Sequence, residues 1–437
     1  MKHSLLLLLV AVSATTLAGC HQSPSVSAAH PSPSVACQAA LAPGGHAQPI
    51  DRTIADLQER ARRSPWKRDV LEQLGYQFVA RARTANDPGD YTLAERVATC
   101  LEEQQPGDPA ALLLRGHALH QLHRFHEAET IARRLVTKRE FVLDYALLGD
   151  ALMEQGRLAE AATSYQKMID LKPFYQSYTR AAHLRWLTGD LNGAIELTRK
   201  AIEAASPRNP EAIAWAYTRL GAYELQRGDA GQVMRAVDAA LTFQPDYAAA
   251  LLMRGRALLT VNRPGEAVRA LERAASLNPL PEYQWTLAEA LRRQGRESEA
   301  ALVEQQLLAR GAATDPRTVA LFLATRGIEQ QHALELAERE LTVRRDVFTE
   351  DAHAWALASA RRFDEAGIAM ERALSAHTND ARLFLHAGII AASTGRRAEA
   401  HRWLAQADRF HSTLLPSELD ILRAHRSWFQ HATAGRL

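Results

Sequence analysis

Cysteine is scarce in this chain of 437 residues: there are three, and no two stand as a CxxC pair. That count excludes zinc-ribbon and thioredoxin-type chemistry. The chain also lacks an HExxH helix, a phosphate-binding glycine loop and a nucleophile elbow. With them go the usual means of presenting a metal-bound water, a nucleotide phosphate or an activated serine. No catalytic residue is expected, and an enzyme too diverged to show its motif is only a third reading. An excess of one charge is missing as well. Lysine and arginine number 52 against 50 aspartates and glutamates, a formal net charge of +2. Nucleic-acid binding rests on basic side chains gathered on one face. Here Arg and Glu alternate, as they do on solvated helix surfaces, so no nucleic acid is expected as a partner.

What remains is helix material. Hydrophobic residues make up 47% of the chain, with Ala and Leu dominant and β-branched strand formers sparse, and 23 glycines and 18 prolines fall at intervals. Such spacing is punctuation between helices. A chain this long normally divides into two or three compact domains. Stacked repeats escape that rule, because each buries its apolar face only against its neighbours.

The first residues form an address. Lys2 precedes an apolar run from Leu5 to Val12 and then small residues, a secretory signal too short to be a permanent membrane helix. Leu17-Ala18-Gly19-Cys20 resembles the lipobox of bacterial lipoproteins. The resemblance implies that Cys20 carries the lipid and begins the mature chain. Multiple acyl chains anchor a protein stably where one does not. His21 follows, where retention in the inner membrane goes with aspartate, so the resemblance points to the outer membrane, periplasmic face. Residues 21–50 are rich in Ser, Pro, Ala and Gly and read as a tether, reaching roughly 90 Å at about 3 Å per residue. Cys37 in that tether and Cys100 beyond it leave two readings open in an oxidising compartment, a disulfide or two isolated thiols.

Internal periodicity is the dominant signal. Leu148-Gly149, Leu152, Gly156, Ala161, Tyr165 and Pro173 form a pattern that resembles the tetratricopeptide repeat of about 34 residues. Small residues recur at the eighth position of helix A (Gly75, Gly116, Gly149, Ala182, Gly221, Gly255, Ala288, Ala354, Gly388). Their partners on helix B include Ala94, Ala128, Ala161, Ala194, Ala267, Ala300, Ala366 and Ala400. Pro106, Pro173, Pro245 and Pro279 close units, and Gly156, Gly189, Gly228, Gly295 and Gly395 fall between A and B. The first unit carries an insertion at 84–90, and the unit near 315–345 is degenerate, with Leu321 where a small residue is expected. The resemblance implies an all-α fold: an α-solenoid, a right-handed superhelix of about ten helix pairs. The expected boundaries are 1–19 for the signal peptide, 20–50 for the lipidated cysteine and tether, 51–430 for the solenoid with a capping helix from about Ser417, and 431–437 for a tail.

In that family, set positions of helix A line a concave groove. Here they hold Tyr76, Trp186, Trp215, Arg256, Trp285, Arg292, Phe322 and Trp355, four of the chain's seven tryptophans among them. Aromatics and arginine dominate binding energetics, so these eight are the expected partner-binding residues, with packing in the inter-repeat core as the alternative for the rings. The Lys and Asn pair that clamps chaperone C-termini is absent. The resemblance implies a lipid-anchored periplasmic scaffold for a protein or peptide partner, in envelope assembly or export. A second reading is a metal-binding protein: His117 and His120 stand three apart on one helix, and Asp150 occupies the equivalent position on the next helix A. No cofactor is expected beyond the lipid on Cys20.

Overall fold

The computed structural model describes residues 34–43, 49–63, 67–85 and 87–434. Cys20, the expected signal segment and most of the expected tether lie outside these. Every element among the described residues is helical. Two leading helices, α1 (Val35–Ala40) and α2 (Pro49–Arg63), precede ten antiparallel pairs. The first five pairs are α3 (Arg68–Ala85) with α4 (Pro88–Gln104), α5 (Pro109–Gln121) with α6 (Phe125–Lys138), α7 (Val142–Glu154) with α8 (Leu158–Leu171), α9 (Tyr175–Leu187) with α10 (Leu191–Ala204), and α11 (Pro210–Arg227) with α12 (Ala230–Phe243). The second five are α13 (Ala248–Thr260) with α14 (Pro264–Leu277), α15 (Pro281–Arg293) with α16 (Glu297–Thr314), α17 (Pro316–Arg326) with α18 (Gln330–Leu341), α19 (Val347–Ser359) with α20 (Phe363–Leu374), and α21 (Ala381–Ser393) with α22 (Arg397–Arg409). A 3-10 turn (His411–Thr413) leads to α23 (Pro416–Ala434), the expected capping helix. An all-α solenoid of ten pairs is what the repeat pattern implied.

Local chemistry explains the boundaries. Asp108, Asp190, Asp229, Asp315, Asp346 and Asp380 each accept a backbone N–H at the start of a helix, worth about 1 kcal/mol apiece. Gly156 and Gly189 turn the chain at φ of +74° and +84°, a region where a side chain is strained. Pairs close through the small eighth positions. A Cβ added at Gly149 would stand 2.3 Å from Tyr165, and one at Gly255 2.4 Å from Leu271. In the first two pairs the close neighbour is the next helix A instead: Leu114 over Gly75 and Leu147 over Gly116.

Two expectations need correction. Residues 84–90 are not a loop between the helices of the first unit, because α3 runs to Ala85 and α4 begins at Pro88, capped by Asp87. The stretch 34–43 is not free tether either: α1 packs on the solenoid's first face, Ala40 is fully buried, and Cys37 is bonded to Cys100 with Cα atoms 5.1 Å apart. Composition had hidden it, since only two side chains of so short a helix are buried.

The coil of pairs closes on itself. The backbone N–H of Arg345 donates to Glu154 O at 3.0 Å, and the Arg344 guanidinium lies 3.3 Å from the Glu154 carboxylate. Thr378 Oγ1 donates to Leu187 O, and Asn379 Nδ2 to Gly189 O. Further along, Arg256 donates to Thr413 O, Ser417 to Glu289, and Arg293 to Pro416 O. The ends of helices α7, α9, α13 and α15 thus present carbonyls or side chains to segments from the last three pairs and the cap. Carbonyls at helix C-termini need such partners.

Candidate functional site

The seam decides which groove residues stay open. Trp285 is 2% exposed and Phe322 is 1%, and their rings pack edge to face at 5.6 Å. Trp285 Nε1 donates to Glu289, whose carboxyl is raised by burial despite the bonds from Ser417 and Trp285. Trp355 is buried, stacked at 4.1 Å on His386, and donates to Thr325 Oγ1. These three are core residues, not groove contacts. Arg292 is engaged by Glu304 at 2.5 and 2.7 Å. Arg256 is held in the seam. Trp186 is half-buried there, its Nε1 donating to Gln226 Oε1 at 2.6 Å and its ring 5.5 Å from Phe348.

Two of the eight expected groove residues face open space. Tyr76 and Trp215 line a cleft of about 470 Å³ bounded by the A helices of the first five pairs, α3, α5, α7, α9 and α11. That volume is within the range of ligand sites. Arg83 at the end of α3 and Glu211 at the start of α11 approach to 3.7 Å across it. The floor is Leu113, Ala146 and Leu147, and the walls carry His117, His120, Tyr175 and Arg180. Tyr175 donates its hydroxyl to Ala212 O at 2.8 Å, tying α9 to α11.

The structure brings His117, His120 and Asp150 to this one cleft. Asp150, however, already accepts Arg180 Nη2 at 2.6 Å, Arg180 Nε at 2.8 Å and the Tyr165 hydroxyl at 2.7 Å. Burial would raise its pKa, but the Arg180 charge wins and holds it below the usual carboxylate range. The carboxylate expected as a third metal ligand is thus spent on an arginine and a tyrosine. Among the described residues no three His, Cys, Asp or Glu side chains form a metal-ligand group. His117 is pushed down to about 4 by burial, with the neighbouring His120 and Arg180 opposing a second positive charge. His120 Nε2 is buried without a hydrogen-bond partner, while its Nδ1 lies 3.3 Å from Gln121 Nε2.

Arg180 and Tyr175 were not among the expected site residues. Both stand on the concave side of α9, where an Arg or Tyr reads from sequence as an ordinary helix surface residue. Only the position of Asp150 one pair earlier, and of α11 one pair later, gives them their roles. No helix among the described residues is long and apolar enough to cross a membrane.

No curated protein matches the chain. Two solved structures of similar chains are both titled for MamA. One shares 20% identity over 39% of this chain and 91% of its own, with a TM-score of 0.31. The other shares 21% over 37% and 94%, also with a TM-score of 0.31. The family model of the tetratricopeptide repeat matches residues 145–176 and 252–316, which fall on pairs three, six and seven. The chain is an all-α solenoid of helix pairs in which the tetratricopeptide repeat is matched in the third, sixth and seventh pairs.

Proposed function

We propose that this chain is a lipid-anchored scaffold that binds an extended segment of a protein partner in the cleft between α3 and α11. The observation that carries the reading is the 470 Å³ cleft lined by Tyr76 and Trp215. An apolar floor with a few polar groups along its walls suits a peptide whose side chains alternate between pocket and solvent. Tyr76 is 38% exposed and available for contact.

Export to the periplasm belongs to the same proposal. It is supported by the Leu17-Ala18-Gly19-Cys20 motif and by the Cys37–Cys100 bond, since disulfides persist in oxidising compartments. Photo-crosslinking in cells tests the cleft, with the crosslinker at Tyr76, at Trp215 and at the exposed Leu302 on α16 as control. One protein captured from the first two sites alone is expected. Identical capture from all three would sink the cleft as the working surface. Cys20→Ser should move the protein from membranes to the soluble fraction, and retention on membranes would refute the anchor.

A further inference from the structure

A second cleft, of about 830 Å³, lies along the seam and shares no lining residue with the first. One wall is the outward face of α8, where Leu158, Ala162 and Ile169 follow at intervals of four and seven and so share one side of the helix. Leu184 of α9, Leu197 of α10 and Val347 of α19 complete the apolar lining. Leu158, Ile169 and Leu197 are half-buried and belong to no packed core cluster around them. They are apolar side chains that the fold brings together without covering.

The rim is charged, and unevenly. Arg157, Arg185, Arg345 and Arg372 stand around the opening against Glu160 and Glu350. Both glutamates are already held, Glu160 by Arg157 at 2.7 Å and Glu350 by Arg372 at 2.9 Å. Arg185 pairs with Asp190. Arg345 differs from all three: its backbone is fixed in the seam, yet its guanidinium forms no ion pair with any described carboxylate.

We propose that this cleft receives an amphipathic helix from a protein partner, with an apolar stripe on its floor and acidic side chains against the arginine rim. The argument is independent of the concave cleft. α8 is 14 residues long, about 21 Å, so the groove matches three to four turns of a helix. Helices dock into such grooves through apolar residues at i, i+3, i+4 and i+7. The Arg345 guanidinium, the one rim arginine not paired with a described carboxylate, selects the sign of the partner's flanking charges, an effect that weakens as salt screens it.

The test uses the full chain with its disulfide intact and two labelled synthetic helices. One carries a leucine stripe flanked by glutamates, and the other has lysines in their place. Fluorescence anisotropy should show saturable binding of the acidic helix, at least about tenfold tighter than the basic one. Ala162→Phe fills the floor and should weaken it about tenfold. Arg345→Gln removes no packed atom, so it reports even if the first variant is unstable, and should weaken binding several-fold. Trp215→Ala, in the concave cleft, should leave it unchanged. Equal binding of both helices, indifference to Ala162→Phe and Arg345→Gln, or no saturable binding would overturn the proposal. So would uptake of a fluorescent fatty acid with no helix binding, which would assign the cleft to a lipid tail.

Discussion

Replacing Gly156 by alanine should cost distinctly more than replacing Gly295, although both turn the chain from helix A to helix B. Their backbones are nearly the same, with φ of +74° and +75°. A side chain in that region costs about 1–2 kcal/mol at either position. The surroundings differ. A Cβ at Gly295 would meet nothing within 4 Å, whereas one at Gly156 would stand 2.5 Å from the backbone oxygen of Arg345. A backbone atom cannot rotate away as a side-chain tip can, so the seam must open. Opening strains the bond from Arg345 N–H to Glu154 O and the Arg344–Glu154 pair beside it. A net hydrogen bond is worth about 1 kcal/mol, and one involving a charged group about 1.5–3. Gly156→Ala should therefore be the more destabilising by about 2 kcal/mol. Urea unfolding of both variants measures the difference, with limited proteolysis near 341–348 as a local probe. Equal losses, with unchanged cleavage at the seam, would refute the claim that the coil is closed there.

Reducing the Cys37–Cys100 bond frees a loop with a sequence separation of 63. The chain-entropy model puts that at up to about 4 kcal/mol, and a lower melting temperature in reductant, reproduced by Cys37→Ser, is the expected result. Acid should weaken the fold before its carboxylates titrate. His117 is lowered to about 4 and His183 to about 3, in each case first by burial and then by neighbouring positive charge. Below pH 6.5 the unfolded chain binds those protons and the folded chain does not, so stability falls with pH until the folded values are reached. Each histidine accounts for up to about 2 kcal/mol between pH 7 and pH 5, and His117→Gln should flatten the measured slope. Trp285→Ala should cost about 3–5 kcal/mol as a core truncation, while Trp215→Ala should change stability far less; calorimetry that ranks them the other way would reverse their assignments.

How much of this was legible in sequence differs between levels. The helix pairs were, because what specifies them is local. Gly149 must be small for Tyr165 to lie against it, Asp190 caps the helix it precedes, and proline stops a helix at a fixed offset. Those constraints act over a few residues to a few tens, and the repeat copies them along the chain. The inward register of helix A was legible for the same reason. Tyr76, His117, Asp150 and Trp215 all face one cleft, and Trp285 likewise borders a small polar cavity with Arg382 and Leu415.

Whether an inward face is open was not legible. Trp285, Phe322 and Trp355 occupy positions of the kind that Trp215 occupies, yet they are buried: the segments at Ser417 and Arg382 close over Trp285 and its partner Glu289, Phe322 lies against Trp285, and Trp355 stacks on His386 of the next helix A. That closure depends on how tightly successive pairs wind. It is a rotation accumulated over the intervening pairs, to which no single residue testifies. It brings Arg345 to Glu154, Thr378 to Leu187 and Ser417 to Glu289, across sequence separations of 191, 191 and 128. The sequence by itself determined the helices, their pairing and the inward face. Tertiary structure alone decided which part of that face stays open and which is core, since burial is settled by neighbours that local pattern cannot name.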